Sequence, residues 1–114
     1  MNSTNELDFL AHSAGALAQL QAGFDQWQRT HFTRRPPEFF ALELNGEAGE
    51  LANLEKKTWK GKTIPAEQFA DEAADVLIAL MNYANARGVD LESAVATKCA
   101  EIARRRNADP SHAP

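Results

Sequence analysis

Apolar residues recur at steps of three and four along most of this chain, which is the spacing of one face of an α-helix. No stretch keeps the alternation of apolar and polar residues that is typical of a β-strand. The pattern therefore predicts an all-α fold. The four predicted helices cover residues 5–29, residues 37–58, a segment that starts after Thr63, and a segment that starts after Asp90.

Residues that begin or end helices stand between these segments. Ser3 with Glu6 resembles a capping box at the start of the first helix, but Gly15 and Gly23 also allow a start nearer Ser13. The other boundary signals are Pro36-Pro37, Gly61, Pro65 in the first turn of the third helix, Arg87-Gly88 at its end, and Asp90 as the cap of the fourth helix.

The apolar faces of four helices joined by short connections predict a four-helix bundle. We expect a single domain over residues 1–114, with residues 107–114 as a frayed tail. So small a bundle is not expected to bury this many large apolar residues alone, so we expect a homodimer to complete the core. The residues predicted to face the core are Leu10, Leu17, Leu20, Phe24, Trp27, Phe40, Leu44, Leu51, Leu54, Phe69, Val76, Leu80, Tyr83, Leu91, Val95 and Ile102.

Composition narrows the class of protein. Apolar residues make up 44% of the 114 residues and charged residues 25%, which is ordinary for a globular domain. No apolar run reaches the roughly 18 residues of a membrane span, and the N-terminus lacks the pattern of a signal peptide. Cys99 is the single cysteine, which fits a reducing, cytoplasmic location. The net charge of −4 argues against a nucleic-acid polymer as partner.

Acidic residues occupy positions where apolar packing is expected. Glu47 continues the apolar series of the second helix, and Glu72 falls between Phe69 and Val76 in the series of the third. Glu50 and Asp75 each lie one turn further along the same edge. Burying four carboxylates together is costly unless they are protonated, paired with basic groups or bound to cations.

A cation between two antiparallel helices is the natural solution for these acids. Mg²⁺ prefers hard oxygen ligands and commonly keeps substrate phosphates among them, and no histidine or cysteine stands nearby to favour zinc. We predict that Glu47, Glu50, Glu72 and Asp75 bind Mg²⁺, with Mn²⁺ as a substitute. The alternative is that each acidic pair is an ordinary solvated helix surface. Glu43, one turn before Glu47, is either a supporting group or a salt-bridge partner.

These motifs resemble the MazG-like nucleotide pyrophosphohydrolases of the all-α NTP pyrophosphatase superfamily. The resemblance rests on LNGEAGEL (44–51), EAADVL (72–77), GVDL (88–91) and Lys98, and it extends over residues 24–106. Two departures stand out, because Gly46 takes the place of a glutamate present in many members and Ile102 takes the place of an asparagine.

The resemblance implies an all-helical enzyme that functions as a homodimer or a dimer of dimers. It would hydrolyse a nucleoside triphosphate between its α- and β-phosphates, giving a nucleoside monophosphate and pyrophosphate. Such an activity serves house-cleaning or the control of nucleotide pools. Glu47 and Glu50 match the first acidic pair, and one of them would orient the attacking water or accept its proton. Glu72 and Asp75 match the second pair. Lys98 matches a lysine expected to reach phosphate, and Arg105 matches a basic position near the end of the same motif, so both are candidates for substrate binding.

Other polar residues are weaker candidates for substrate binding. Asn53 follows Glu50 by one turn, Asn82 follows Asp75 by two, and Lys57 belongs to a lysine cluster that equally suits a helix C-terminus. Two other functions stay open. One is a different pyrophosphatase of the same fold, such as a phosphoribosyl-ATP pyrophosphatase. The other is a non-catalytic helical interaction module.

Overall fold

A computed structural model describes residues 15–108, which form four α-helices in the described region and no strand. The all-α prediction is confirmed for this part of the chain. The capping box at Ser3 and Glu6 and the predicted start of the first helix lie outside the described residues. The helices are α1 (Gly15–His31), α2 (Pro37–Trp59), α3 (Ala66–Arg87) and α4 (Leu91–Ala108). Helix α4 thus continues two residues into the tail predicted from position 107.

Helices α2 and α3 form an antiparallel hairpin, which is the most extensive helix pair in the described structure. Gly61 lies in the turn with φ of 97°, and its N–H donates to the carbonyl oxygen of Thr58 at 3.0 Å. The left-handed backbone there suits glycine. Pro65 was predicted inside the first turn of α3, but it stands just before the helix as its N-cap. Its fixed φ of −60° directs the chain into the helix without using a helical position.

The turn from α3 into α4 is defined by two local signals that the sequence predicted. Gly88 adopts the left-handed conformation, with φ of 77° and ψ of 29°, and ends α3. The carboxylate of Asp90 then accepts a hydrogen bond from the backbone N–H of Glu92 and another from the hydroxyl of Ser93, both at 3.0 Å. Asp90 therefore caps α4 by satisfying a free donor of its first turn.

A buried glutamine on α1 joins three elements. The side-chain amide of Gln21 donates to Oδ1 of Asn85 at 2.9 Å and to the carbonyl oxygen of Val89 at 2.7 Å. Its oxygen accepts the backbone N–H of Leu91 at 3.0 Å, and Asn85 donates back to the carbonyl oxygen of Gln21. One side chain thus holds α1 against the end of α3 and the start of α4.

The apolar core of the described chain is small. Its fully buried apolar side chains are Phe40, Ala79, Met81, Ala84 and Ala103. Four residues predicted to face the core are exposed by 39–49%: Leu20, Trp27, Val95 and Ile102. The helices of the described chain pack on only part of the apolar faces of α1 and α4, so these side chains stay uncovered. The radius of gyration is 17.3 Å, against the ~13 Å of a compact domain of about 100 residues. The helices thus leave apolar surface uncovered. None of the described helices has the length and apolar character needed to cross a bilayer.

Candidate metal centre

The antiparallel hairpin brings together the acids that the sequence singled out. Oxygen atoms from Glu47, Glu50 and Glu72 all lie within 4.8 Å of one another, and so do oxygen atoms from Asp71, Glu72 and Asp75. Glu72 belongs to both groups and links them. Because α2 and α3 run antiparallel, the acidic pair of α2 (Glu47 and Glu50) faces the pair of α3 (Glu72 and Asp75) in the opposite chain direction.

Helical periodicity explains why these acids converge at the seam between α2 and α3. Glu47 and Glu72 lie in the apolar series of their helices, so packing the two apolar faces also turns these carboxylates inward. Glu47, Glu72 and Asp75 are half-buried, whereas Glu50 is exposed. The centre therefore has a buried side between the helices and an open side at Glu50.

The inner part of this acidic centre contains two carboxylate oxygens without partners. Oε2 of Glu47 and Oε2 of Glu72 are buried and accept no hydrogen bond from any described residue. The ion pairs within residues 15–108 join Arg29 to Asp25 and two α4 cations to Glu101, so none neutralises these acids. Buried oxygens of this kind demand either a proton or a cation.

The electrostatics of the centre favour the protonated forms of Glu72 and Glu47. Burial, followed by hydrogen bonding to and repulsion from Glu50 and by repulsion from Glu47 and Asp75, together raises the pKa of Glu72 to about 7. Burial also raises the pKa of Glu47, followed by repulsion from Asp75 and Glu50. These shifts have the causes expected of carboxylates that share one small volume.

The donor set of the centre fits a hard divalent cation. Every candidate ligand is a carboxylate oxygen, which is what Mg²⁺ and Mn²⁺ prefer, and neither group of converging ligands contains histidine or cysteine. Gly46 is exposed on α2 one residue before Glu47, and a Cβ there would meet nothing within 4 Å.

Sequence reasoning missed Asp71 as a member of this centre. Asp71 precedes Asp75 by four residues, so both lie on one edge of α3, and this spacing could have identified it. Glu43 is exposed and belongs to neither converging group of acids; it lines a neighbouring cleft instead.

Four other predicted substrate-binding residues are divided between α2, which carries part of the acidic centre, and α4, which does not. Asn53 and Lys57 are exposed on α2 beyond Glu50, and neither forms a hydrogen bond or ion pair with another described side chain. Lys98 and Arg105 lie on α4, where both pair with Glu101. Lys98, and then Arg105, lower the pKa of Glu101. Within one chain, therefore, the structure does not bring these two cations to the acids.

A cleft lined by aromatic side chains adjoins the acidic centre on the side toward the start of α2. Its volume is about 460 Å³, within the range of small-molecule sites. Asn82, which the sequence offered as a substrate-binding residue, lies in its wall and is only 7% exposed. The other lining residues include Phe24, Trp27, Phe32, Arg35, Phe39 and Glu43.

Comparisons of this chain with protein-family models, curated proteins and solved structures give no match.

Proposed function

We propose that this protein is a Mg²⁺-dependent nucleoside triphosphate pyrophosphohydrolase that cleaves between the α- and β-phosphates. One observation carries the proposal: two buried, unpartnered carboxylate oxygens, on Glu47 and Glu72, lie among further acids at the seam of an antiparallel helix pair. A solvated acidic surface, the alternative considered for the sequence, does not bury its oxygens without partners. The resemblance of the sequence motifs to MazG-like enzymes supports the same chemistry.

The acids of the centre have two proposed roles, which are binding of Mg²⁺ and activation of the attacking water. Glu47, Glu72 and Asp75 are half-buried and would hold Mg²⁺, with Asp71 as a further ligand. When bound, the ion would neutralise phosphate charge and make a nearby water more acidic. Glu50 lies on the open side, where substrate and water enter, so its carboxylate is placed to orient that water or to take its proton.

The triphosphate itself needs positive charge that the centre lacks within one chain. Lys98 and Arg105 are the cations that the motif resemblance assigns to the substrate, and both are on α4, away from the hairpin. We propose that the functional unit is a MazG-like helical bundle completed by dimerisation, in which apolar surface left exposed on each chain becomes buried. The most exposed large aliphatic side chain on the hairpin is Leu42, at 74%.

The dimer can be tested apart from catalysis. Light scattering should give twice the mass of one chain, and Leu42→Glu should shift the population toward monomer if α2 contributes to the interface. A wild-type protein that is monomeric at every concentration measured would contradict this part of the proposal.

The enzymatic proposal is tested by substituting one carboxylate and a matched control on the same helix. We expect Glu50→Gln to lower kcat by about 100-fold or more, because a general base or water-orienting group contributes on that scale. Glu55→Gln should leave kcat unchanged, since Glu55 is exposed and belongs to neither acidic group. Circular dichroism should show the same helical content in both variants.

Products identify which bond breaks. Nucleoside monophosphate and pyrophosphate, released only when Mg²⁺ or Mn²⁺ is present, are expected from a panel of nucleoside triphosphates. Release from phosphoribosyl-ATP alone would move the assignment to the other pyrophosphatase class. No release from any substrate, together with no thermal stabilisation by Mg²⁺, would indicate the non-catalytic interaction module.

A further inference from the structure

The cleft beside the acidic centre has the lining of a site for a flat ring. Trp27 lies between two aromatic neighbours, with ring-centroid distances of 5.6 Å to Phe24 and 5.5 Å to Phe32. In the same lining, the Arg35 guanidinium lies 5.0 Å from the centre of the Phe39 ring. Trp27 and Phe32 are about half exposed and line the cleft, and His31 stacks on Trp27 with ring centroids 4.7 Å apart. Aromatic faces and a guanidinium plane bind flat heterocycles by stacking.

Asn82 provides the polar group in the wall of this cleft. Its side chain is more than nine-tenths buried, and its amide makes no hydrogen bond with any described residue. This contrasts with Asn85, one turn further on α3, whose amide is engaged by Gln21 on α1. No hydrogen bond within the described residues occupies the Asn82 amide, which lines the cleft, so its donor and acceptor can pair with a bound molecule.

The position of Asn82 relative to the acids suits a nucleotide. Asn82 follows Asp75 by seven residues on α3, which is about 10 Å along the helix axis. Glu43 lies in the same cleft and precedes Glu47 by about one turn on α2. The cleft and the acids therefore lie along the same seam between α2 and α3, so a ligand with its phosphates at the acids can extend a ring toward Asn82.

We propose that Asn82 is the specificity-determining residue of this site and hydrogen-bonds to the edge of a nucleobase stacked in the aromatic cleft. The inference rests on the proposed function, because it takes the phosphates of the same ligand to lie at the acids. A carboxamide offers a donor and an acceptor side by side, which matches the paired groups on a base edge. The site therefore distinguishes nucleotides from non-nucleotide triphosphates, such as inorganic triphosphate.

Binding of nucleosides tests the cleft without phosphates, metal or turnover. The protein has two tryptophans, and Trp59 is 86% exposed outside the cleft, so Trp59→Phe leaves Trp27 as the single tryptophan reporter. We expect nucleosides to quench Trp27 fluorescence and ribose not to do so. Asn82→Leu in this background should weaken the binding by about five- to 100-fold, whereas Asn45→Leu, at an exposed position of α2, should not change it.

Turnover tests the selection itself. Asn82→Asp replaces the amide by a group that only accepts hydrogen bonds when ionised. We therefore expect kcat/KM to shift by about fivefold or more toward guanine nucleotides, because the guanine edge presents two adjacent donors, N1–H and N2–H2, whereas the edges of the other bases also present acceptors. Asn82→Leu should flatten the base preference. The second variant keeps the test valid if a buried aspartate impairs folding, and circular dichroism checks both.

The outcomes separate this inference from the proposed function. If the wild type releases pyrophosphate but the Asn82 variants keep its base preference, Asn82 does not select the base and the enzymatic assignment stands. If the wild type hydrolyses no nucleotide while Asn82 still governs nucleoside binding, the pyrophosphohydrolase assignment fails and the base site stands. If nucleosides bind neither the Trp59→Phe protein nor its Asn82→Leu variant, the cleft is not a nucleobase site.

Discussion

Glu47 on α2 and Glu72 on α3 each hold one carboxylate oxygen, Oε2, buried and without a hydrogen-bond donor, at the seam between the two helices. The two acids occupy positions in the apolar series of their helices, so the packing that builds the hairpin also buries them. Without a cation, the centre is a source of instability. The centre can therefore be examined through stability as well as through catalysis.

The first prediction concerns how pH changes the stability of the metal-free protein. The pKa of Glu72 is raised from 4.5 to about 7, so the folded chain holds this proton more tightly than the unfolded chain. The stabilising contribution of the proton is complete below pH 4.5 and is lost as the pH rises through 7. Thermal melts in a metal chelator should therefore show the midpoint falling between pH 5 and pH 8.

Mg²⁺ should reverse this loss, because the ion competes with protons for the same oxygens. At a concentration of 100 times its Kd, a ligand that binds only the folded state adds about 2.7 kcal/mol. We expect the Mg²⁺-induced rise in Tm to be larger at pH 8 than at pH 6. A rise that is equal at both values, or no rise at all, would show that the ion does not bind at Glu72.

The second prediction is that one substitution, at Glu72, raises the stability of the metal-free protein and abolishes its stabilisation by Mg²⁺. Glu72→Gln keeps the shape of the side chain but removes its charge, so at pH 8 the metal-free variant should melt at a higher temperature than the wild type. The same variant should lose the Mg²⁺-induced rise in Tm. Glu55→Gln, on the exposed surface of α2, serves as the control and should change neither quantity. A variant that melts at a lower temperature in chelator would indicate that Glu72 is a stabilising group.

Local signals in the sequence predicted the parts of the fold that depend on neighbouring residues. The left-handed Gly88 and the capping carboxylate of Asp90 follow from residue type and position within one or two turns. Glu47 was predicted to face inward because it occupies a position in an apolar series with the 3.6-residue period of a helix. These features need no knowledge of which helix packs against which.

Features that join distant segments could not be derived in this way. The hydrogen bonds of Gln21 span 64 to 70 residues, and helical periodicity says nothing about which polar side chain will find such partners. The same applies to the cleft at Asn82, whose walls come from three segments. Leu20, Trp27, Val95 and Ile102 were misplaced because periodicity identifies an apolar face but does not show whether the same chain covers it.

The third prediction concerns the Gln21 network. Gln21→Ala removes acceptors and donors from Val89, Leu91 and Asn85, leaving buried groups unsatisfied, so we expect a loss of about 2–3 kcal/mol in the free energy of unfolding. Gln19→Ala, an exposed position on the same helix, should cost less than about 0.5 kcal/mol.

Hydrogen exchange localises the effect of Gln21→Ala. The backbone N–H of Leu91 donates to Gln21, so its exchange should accelerate more in this variant than that of amides in the α2–α3 hairpin. Uniform acceleration across the described helices would mean that Gln21 contributes only to global stability and does not hold α4 in place.

The fourth prediction compares two glycines that differ in backbone conformation but not in available space. A Cβ at Gly88 or at Gly23 would meet nothing within 4 Å, so neither substitution by alanine creates a clash. Gly88 has φ of 77°, where an L-residue is strained, and Gly88→Ala should destabilise the protein by about 1–2 kcal/mol. Gly23 lies inside α1, so Gly23→Ala should stabilise it by about 0.5–1 kcal/mol, because alanine loses less backbone entropy in a helix. Denaturant melts of the two variants should therefore move in opposite directions. A shift in the same direction for both would mean that Gly88 does not hold its left-handed turn in solution, and the connection that sets α4 against α1 would have to differ from the one described.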